Sequence, residues 1–410
     1  MQPILIGIAT LTISLTVVML RSGYGVFADI LQNRSTNKRQ LVAQQSANLE
    51  LSNRLNQTYL ALATSRRQAR WREVMVVKIV KESDDVKSFY LVAQDYEPFP
   101  PSLPGQHILV QQTPPPDSQR VCRCYSLSDD CAAGHWRISV KKSSDQPQST
   151  SRWLHNEIEV GDILKVRGPS GAFYLRPTAE RNLVFVSAGI GISPMLPMLI
   201  EAIRRRCGSI HFYAQFRDVA HMPFADSLSD LAAKYPQIAM NIWISRFPKG
   251  VRRATRGLFF EGKFQVNELL SHDGAKDGSD YYLCGPEEWQ DQIRAGLVRA
   301  GVGAEAIQYE LFQQKEKPIS TRDEFIQHSI HFKQSNANVR FESSHKSLLA
   351  CAGQNSVSME SGCRTGACGS CAVRLLRGKV RYTREPQFPM QESEILPCVC
   401  VPESDIEVDV

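Results

Sequence analysis

The hydrophobic pattern changes character five times along the 410 residues. Ile4 to Leu20 is a charge-free apolar run, ILIGIATLTISLTVVML. As a helix it would be about 26 Å long, at the short end of what crosses a bilayer. Residues 1–22 therefore read as a transmembrane anchor. Two other readings stay open. A signal peptide would want a positive n-region and a small-residue cleavage site, and neither is evident. A buried soluble helix suits an internal segment better than an extreme N-terminus. Residues 23–71 form a basic stretch. Within it, 38–70 is rich in Gln, Asn, Ala, Leu and Arg and lacks Gly and Pro. Leu41, Asn48, Leu55 and Leu62 recur every seven residues, but the partner positions are mostly polar. The pattern predicts a helical stalk, with a coiled-coil dimer as a weaker alternative.

Period two begins at Glu73 and runs through Val74, Val76, Ile79, Phe89 and Leu91. A Pro-rich loop follows (Pro98, Pro100, Pro101, Pro104), and short strands continue to about Leu175. This predicts an antiparallel β-barrel over 72–178. From Arg181 apolar runs alternate with helical stretches. Leu183–Val186, Ile210–Tyr213, Ile238–Ile244 and Tyr281–Cys284 read as buried parallel strands of a doubly wound α/β domain spanning 179–312. Residues 313–327 are charged, contain Pro318, and read as a linker. A last domain occupies 328–410.

Charge adds a direction to this layout. The net charge is +6, but nine basic residues between Arg21 and Arg72 face only Asp29 and Glu50. The excess is local, flanks the apolar run, and argues against nucleic-acid binding. Positive charge on that flank predicts a single-pass membrane protein whose main body faces the cytoplasm. In that reducing compartment most of the 11 cysteines are not disulfides.

Cys363, Cys368 and Cys371 are spaced C-x4-C-x2-C, and Cys398 follows. Thiolates at that spacing suit a plant-type 2Fe–2S cluster. Cys400 is a rival for the fourth position. Small residues between the first three (Gly366, Ala367, Gly369, Ser370) suit a loop whose amides reach cluster sulfurs. In the barrel, Arg123 can pair with a phosphate, and Tyr125, two residues on, can pack on a flavin ring. Ser126 offers a hydroxyl near the flavin N5. Val140 and Lys141 end a strand in positive charge. Ser149, Thr150 and Ser151 precede a predicted helix start, where hydroxyls and free amides can take a pyrophosphate or simply cap the helix. Ser187-Ala188-Gly189-Ile190-Gly191-Ile192-Ser193-Pro194 follows a strand and opens a helix, a context for dinucleotide binding although G-x-G-x-x-G is absent. Cys284, Gly285 and Pro286 end a strand, where open α/β sheets place ligands.

Residues 72–312 resemble the ferredoxin–NADP reductase superfamily. Its R-x-Y-S/T flavin motif matches Arg123, Tyr125 and Ser126. Its G-G-x-G-x-S/T-P motif matches Gly189, Gly191, Ser193 and Pro194, with Ala188 in place of the first glycine. Its C-G-P matches Cys284, Gly285 and Pro286, and its closing glutamate and aromatic look like Glu310 and Phe312. The resemblance implies catalytic positions at Ser126, Cys284, Glu310 and Phe312. Residues 328–410 resemble plant-type ferredoxins of the β-grasp fold, and the family pattern around the last ligand selects Cys398 over Cys400 through Pro402. The order of domains is similar to oxygenase reductases of the phthalate type and to the reductase of the hybrid-cluster protein.

The resemblance implies an oxidoreductase that uses NAD(P)H, a flavin (FAD rather than FMN) and a 2Fe–2S cluster. It also implies a redox-protein acceptor, expected at a membrane: a desaturase, hydroxylase or monooxygenase. Ser245 and Arg246 end a strand, with Arg252, Arg253 and Arg256 beyond; similar NADP reductases use a Ser-Arg pair for the 2′-phosphate. NADH enzymes of the superfamily also carry an Arg here, and a solvated basic loop would look the same. Two other functions compete: a respiratory quinone-directed reductase, against which the domain order argues, and a redox-sensing interaction protein without turnover.

Overall fold

The computed structural model describes residues 70–112, 121–130, 134–143, 149–176, 181–246, 259–273, 278–312, 327–388 and 390–410. The expected anchor, nearly all of the stalk, most of the linker, and Arg252, Arg253 and Arg256 lie outside the described residues. Among the described residues no helix is long and apolar enough to cross a membrane.

Six antiparallel strands form the first domain: β1 Arg72–Lys81, β2 Val86–Ala93, β3 His107–Gln112, β4 Val121–Ser126, β5 Trp136–Lys141 and β6 Ile163–Ser170. Their order is β4-β3-β6-β1-β2-β5, and an antiparallel bridge from Leu127 to Ile138 joins the two ends into a barrel. Inward residues alternate as the period predicts: Val74, Val76, Phe89, Leu91, Ile108, Val110, Ile138 and Val140 share one core. Helix α1, Thr150–Asn156, starts at Ser149, whose hydroxyl accepts from the Arg152 amide.

Two barrel strands break the half-wet pattern. On β3, His107 and Leu109 point away from the core yet are 2% and 3% exposed. On β5, Arg137 and Ser139 are likewise buried. Each outer face is covered by another domain. The Phe224 ring, from the second domain, lies 5.1 Å from the Arg137 guanidinium.

The second domain is an all-parallel sheet: β7 Asn182–Ala188, β8 Ile210–Phe216, β9 Ala239–Ile244, β10 Phe259–Glu261, β11 Ser279–Cys284 and β12 Ile307–Glu310. The order β10-β9-β8-β7-β11-β12 reverses direction between β7 and β11. Helices α2 Ile192–Arg204, α3 Ala225–Lys234, α4 Val266–Asp273 and α5 Glu287–Arg299 connect the strands. The expected strands are all present. Two were not anticipated, β10 and β12, both at sheet edges and only three and four residues long.

The third domain pairs β13 Gln327–Phe332, β14 Ala337–Glu342, β15 Val373–Arg377, β17 Glu394–Ile395 and β19 Ile406–Val408 in the order β14-β13-β19-β15-β17. Strands β16 Val380–Tyr382 and β18 Cys400–Pro402 form a separate pair. Helix α6, Leu348–Gln354, packs its Leu348, Cys351 and Ala352 into the sheet core. This mixed sheet embracing one helix is the expected β-grasp.

Candidate redox site between three domains

The sheet reversal between β7 and β11 makes a crevice at their carboxyl ends, where such folds bind nucleotides. Gly189 has φ +55, the left-handed region that glycine takes without strain. Gly191 answers a different need. A Cβ there would sit 2.1 Å from the Cys284 carbonyl oxygen, so only glycine lets the two loops cross. Ala188 is extended, at φ −134 and ψ 132, which explains why the missing first glycine is tolerated. The Ser193 hydroxyl donates to the Ile190 carbonyl at 2.9 Å, and Pro194 sits in the first turn of α2, where a missing amide costs nothing.

Cys284 is fully buried at the end of β11, and burial pushes its thiol well up, so it stays neutral. Glu310 ends β12 directly beside it. Gln290 on α5 donates to both the Gly285 carbonyl (2.7 Å) and the Glu310 carbonyl (2.8 Å), tying the two strand ends together. Gln290 was invisible in the sequence. Phe312 packs at the margin of the second-domain core. Ser245 and Arg246 follow β9, two strands from β7 and three from β11; Ser245 accepts from Gln215 at 3.0 Å and Arg246 is exposed.

Across the crevice, β4 carries Arg123, Tyr125 and Ser126. The Arg123 guanidinium donates to the Cys122 carbonyl at 2.9 Å, and Tyr125 packs on the barrel core, where burial raises its phenol. Lys141 reaches from β5 to about the Gly189 turn, its Nζ 4.0 Å from where a Gly189 Cβ would lie. Val140 points into the core, and its carbonyl accepts from His155 at 2.7 Å. The Thr150 hydroxyl turns inward to Gln112 (2.9 Å), while the Ser151 hydroxyl accepts from the Ser143 amide (3.1 Å). At that helix end it is the backbone amides that remain for an anion.

His107, not anticipated, faces Glu310: its Nδ1 is 3.4 Å from the carboxylate. Burial opposes its protonation, but Glu310 more than offsets this and holds the imidazole above its ordinary pKa. Nearby, the Ser126 and Ser187 hydroxyls and Glu310 Oε2 are buried without a protein hydrogen-bond partner. Orphaned polar atoms on both walls of a crevice fit the polar edges of a flavin and a nicotinamide.

The cysteine loop closes the third side. The Cys363 thiol lies beside that of Cys368, and the Cys398 thiol beside that of Cys371. The Cys363 and Cys368 amides donate to each other's sulfur at 3.3 Å, and the Thr365 amide to Cys363 at 3.4 Å. The neighbouring thiol, with burial, holds Cys363 and Cys398 above the ordinary thiol range. Cys400 instead belongs to the third-domain core, on β18. Among the described residues no three His, Cys, Asp or Glu converge to hold one metal ion. Two thiol pairs fit a two-iron cluster better. Gly366 and Gly369 turn the loop at φ +80 and +69, and a Cβ on Gly369 would strike the Phe388 ring at 2.4 Å. Two ion pairs hold this domain in place: Arg167 Nη1 to Glu360 at 2.7 Å, and Arg384 to the largely buried Glu287 at the start of α5.

The comparisons with known proteins find the same three kinds of domain in the same order. Residues 73–174 match the oxidoreductase FAD-binding domain, 180–359 the ferric reductase NAD binding domain, and 330–403 the 2Fe-2S iron-sulfur cluster binding domain. The second match overruns β12 into the third domain. Flavohemoproteins of Rhodopirellula baltica and Bordetella pertussis are 33% and 34% identical over 259 and 245 residues, covering 61% and 59% of this chain. The chain spans about six tenths of the length of these curated relatives, 62% and 60%. The structure of a phthalate dioxygenase reductase, described as modular for electron transfer from pyridine nucleotides to [2Fe-2S], aligns with TM-score 0.56 at 22% identity, over 83% of this chain and 98% of that one. An intact type IV self-sufficient cytochrome P450 monooxygenase aligns with TM-score 0.63 at 23% identity, over 83% and 41%.

Two outcomes follow from the crevice. Gly191→Ala should slow flavin reduction by NAD(P)H about 100-fold, the scale of an ångström-sized misplacement, while dithionite still reduces the flavin; stopped-flow absorbance reads both. For His107, a raised folded pKa means that its stabilisation is full below about pH 6.5 and fades as pH rises through the folded value. The Tm gap between wild type and His107→Gln should therefore be larger at about pH 5.5 than at about pH 9.

Proposed function

For a chain that belongs to the ferredoxin–NADP reductase type of flavin and nicotinamide oxidoreductases, and that carries a C-terminal 2Fe–2S domain, we propose the role of a membrane-tethered electron donor. It takes reducing equivalents from NAD(P)H and delivers them to an oxygen-using terminal enzyme, a membrane desaturase, hydroxylase or monooxygenase, at the cytoplasmic face. One observation carries this reading. The nucleotide turn, the flavin-motif strand and the cysteine loop meet at one junction, so entry and exit of electrons adjoin. The phthalate-type reductase neighbour supports an oxygenase as acceptor, and the apolar run at Ile4–Leu20 with its basic flank supports the tether.

The flavin, when bound, accepts a hydride from NAD(P)H and releases electrons singly to the cluster. The chain's residues do the positioning. Arg123, Lys141 and the amides at Thr150 and Ser151 neutralise the flavin phosphates, with Val140 shaping the strand they rest on. Tyr125 walls the ring, and the unpartnered Ser126 hydroxyl serves its N5 edge. Gly189, Gly191, Ser193 and Pro194 cradle the nicotinamide cofactor's pyrophosphate at the start of α2. Cys284, Gly285, Pro286, Glu310 and Phe312 shape the nicotinamide pocket and exclude water. Ser245 and Arg246 would take a 2′-phosphate, the reading that favours NADPH. Cys363, Cys368, Cys371 and Cys398 would hold the 2Fe–2S cluster.

The test is a spectrum and an anaerobic titration of the purified protein. Flavin and 2Fe–2S bands should appear and bleach with NADPH, more weakly with NADH. Cys398→Ser should abolish the cluster bands and Cys400→Ser should keep them. A protein without those bands, or one that neither nucleotide bleaches, overturns the reading. Full-length chain should sediment with membranes, and deletion of residues 1–22 should release it; a soluble full-length chain would remove the tether.

A further inference from the structure

Cys124 lies on β4 between Arg123 and Tyr125, and no role above uses it. Because side chains alternate along a strand, it points away from Arg123 and Tyr125. It pairs across the ladder with Leu109, on the outer face of the barrel. That face is sealed by the cysteine loop. A Cβ on Gly362 would lie 2.9 Å from Cys124 Sγ, 3.1 Å from Leu109 Cδ2 and 3.2 Å from Cys368 Sγ. Glycine at 362 therefore lets two sulfurs from different domains approach the same point; the Cys368 thiol itself donates to Ser370 Oγ at 3.3 Å. Strand β4 thus has Arg123 and Tyr125 on one face, and Cys124, against the cysteine loop, with Ser126 on the other.

We propose that Cys124 is the barrel's contact with the cluster, its S–H donating a hydrogen bond to the ligand sulfur of Cys368 and so setting both the cluster's potential and the point where electrons enter. This rests on the reading of Cys368 as an iron ligand. Hydrogen bonds to ligand sulfurs are one of the terms that set an iron–sulfur potential, and a donor favours the more negative, reduced form. An ordinary thiol is protonated at neutral pH, so Cys124 has a proton to donate. In each transfer one electron leaves the reduced flavin and one ferric iron becomes ferrous. Cys124 is neither oxidised nor reduced and loses no proton. The flavin is reduced again by NAD(P)H.

The experiment compares Cys124→Ala and Cys124→Ser holoproteins with wild type. The readouts are cluster midpoint potential by EPR-monitored redox titration, and cluster reduction by stopped-flow. Cys124→Ala should move the potential negative by about 59 mV, a tenfold change for one electron, and slow cluster reduction about as much. Cys124→Ser keeps a donor and should stay near wild type. Flavin reduction by NAD(P)H should be unchanged in both. An alanine variant with full iron and sulfide content, wild-type potential and wild-type rate overturns the proposal. Should the alanine variant fail to load its cluster, wild type alone decides. A hyperfine-coupled proton of the reduced cluster that exchanges in D2O and remains in Cys124→Ser supports the bond; its absence overturns it. Cys368→Ser separates the two readings, because a wild-type cluster in that variant would refute the ligand assignment whatever Cys124 does.

Discussion

Burial of β3 on both faces is the constraint from which the arrangement of the three domains follows. Ile108 and Val110 fill the barrel, while His107 and Leu109 point outward and are as hidden as the core. An isolated barrel would expose that outer face to water. Here the cysteine loop covers Leu109, and the end of β12 brings Glu310 to His107. The His also fixes register. With apolar residues on both faces, alternation alone would not penalise a one-residue slip. A slip would, however, place an imidazole in the barrel core and leave Glu310 buried without it. One polar side chain in an apolar run thus pins both the strand and the domain that docks on it.

At the other end of the crevice the constraint is backbone against backbone. The crossing of Gly191 and Cys284 leaves no space for a side chain, and Gln290 clamps the neighbouring strand ends through two carbonyls. The nucleotide pocket is therefore shaped by main chain and held from behind. The side chains that face it, Ser187 and Glu310, keep polar atoms unspent for a ligand.

The motifs were legible because their chemistry is local. A cysteine spacing, a strand-turn-helix and an R-x-Y-S strand each specify their use within a few residues. Alternation in β1 and β2 and the apolar runs of β7, β8, β9 and β11 gave the domain classes directly. What stayed hidden depends on contacts distant in sequence. His107, Gln290 and Cys124 look like ordinary strand and helix residues until a second domain arrives. Strands β10 and β12 are short edge strands, too brief for periodicity to register. The inward turn of Thr150 toward Gln112 could not be read from three adjacent hydroxyls. Ala188 shows the reverse case: a departure from a glycine motif that extended backbone makes harmless.

The two ion pairs that seat the third domain have opposite polarity. It offers an acid, Glu360, to Arg167 of the barrel, and a base, Arg384, to Glu287 of the nucleotide domain. A free ferredoxin with a uniformly acidic face would satisfy the first contact and meet like charge at the second. The seat is thus keyed as a two-pin plug is keyed. Its charges favour the chain's own module, in one orientation, over a module whose docking face is acidic throughout.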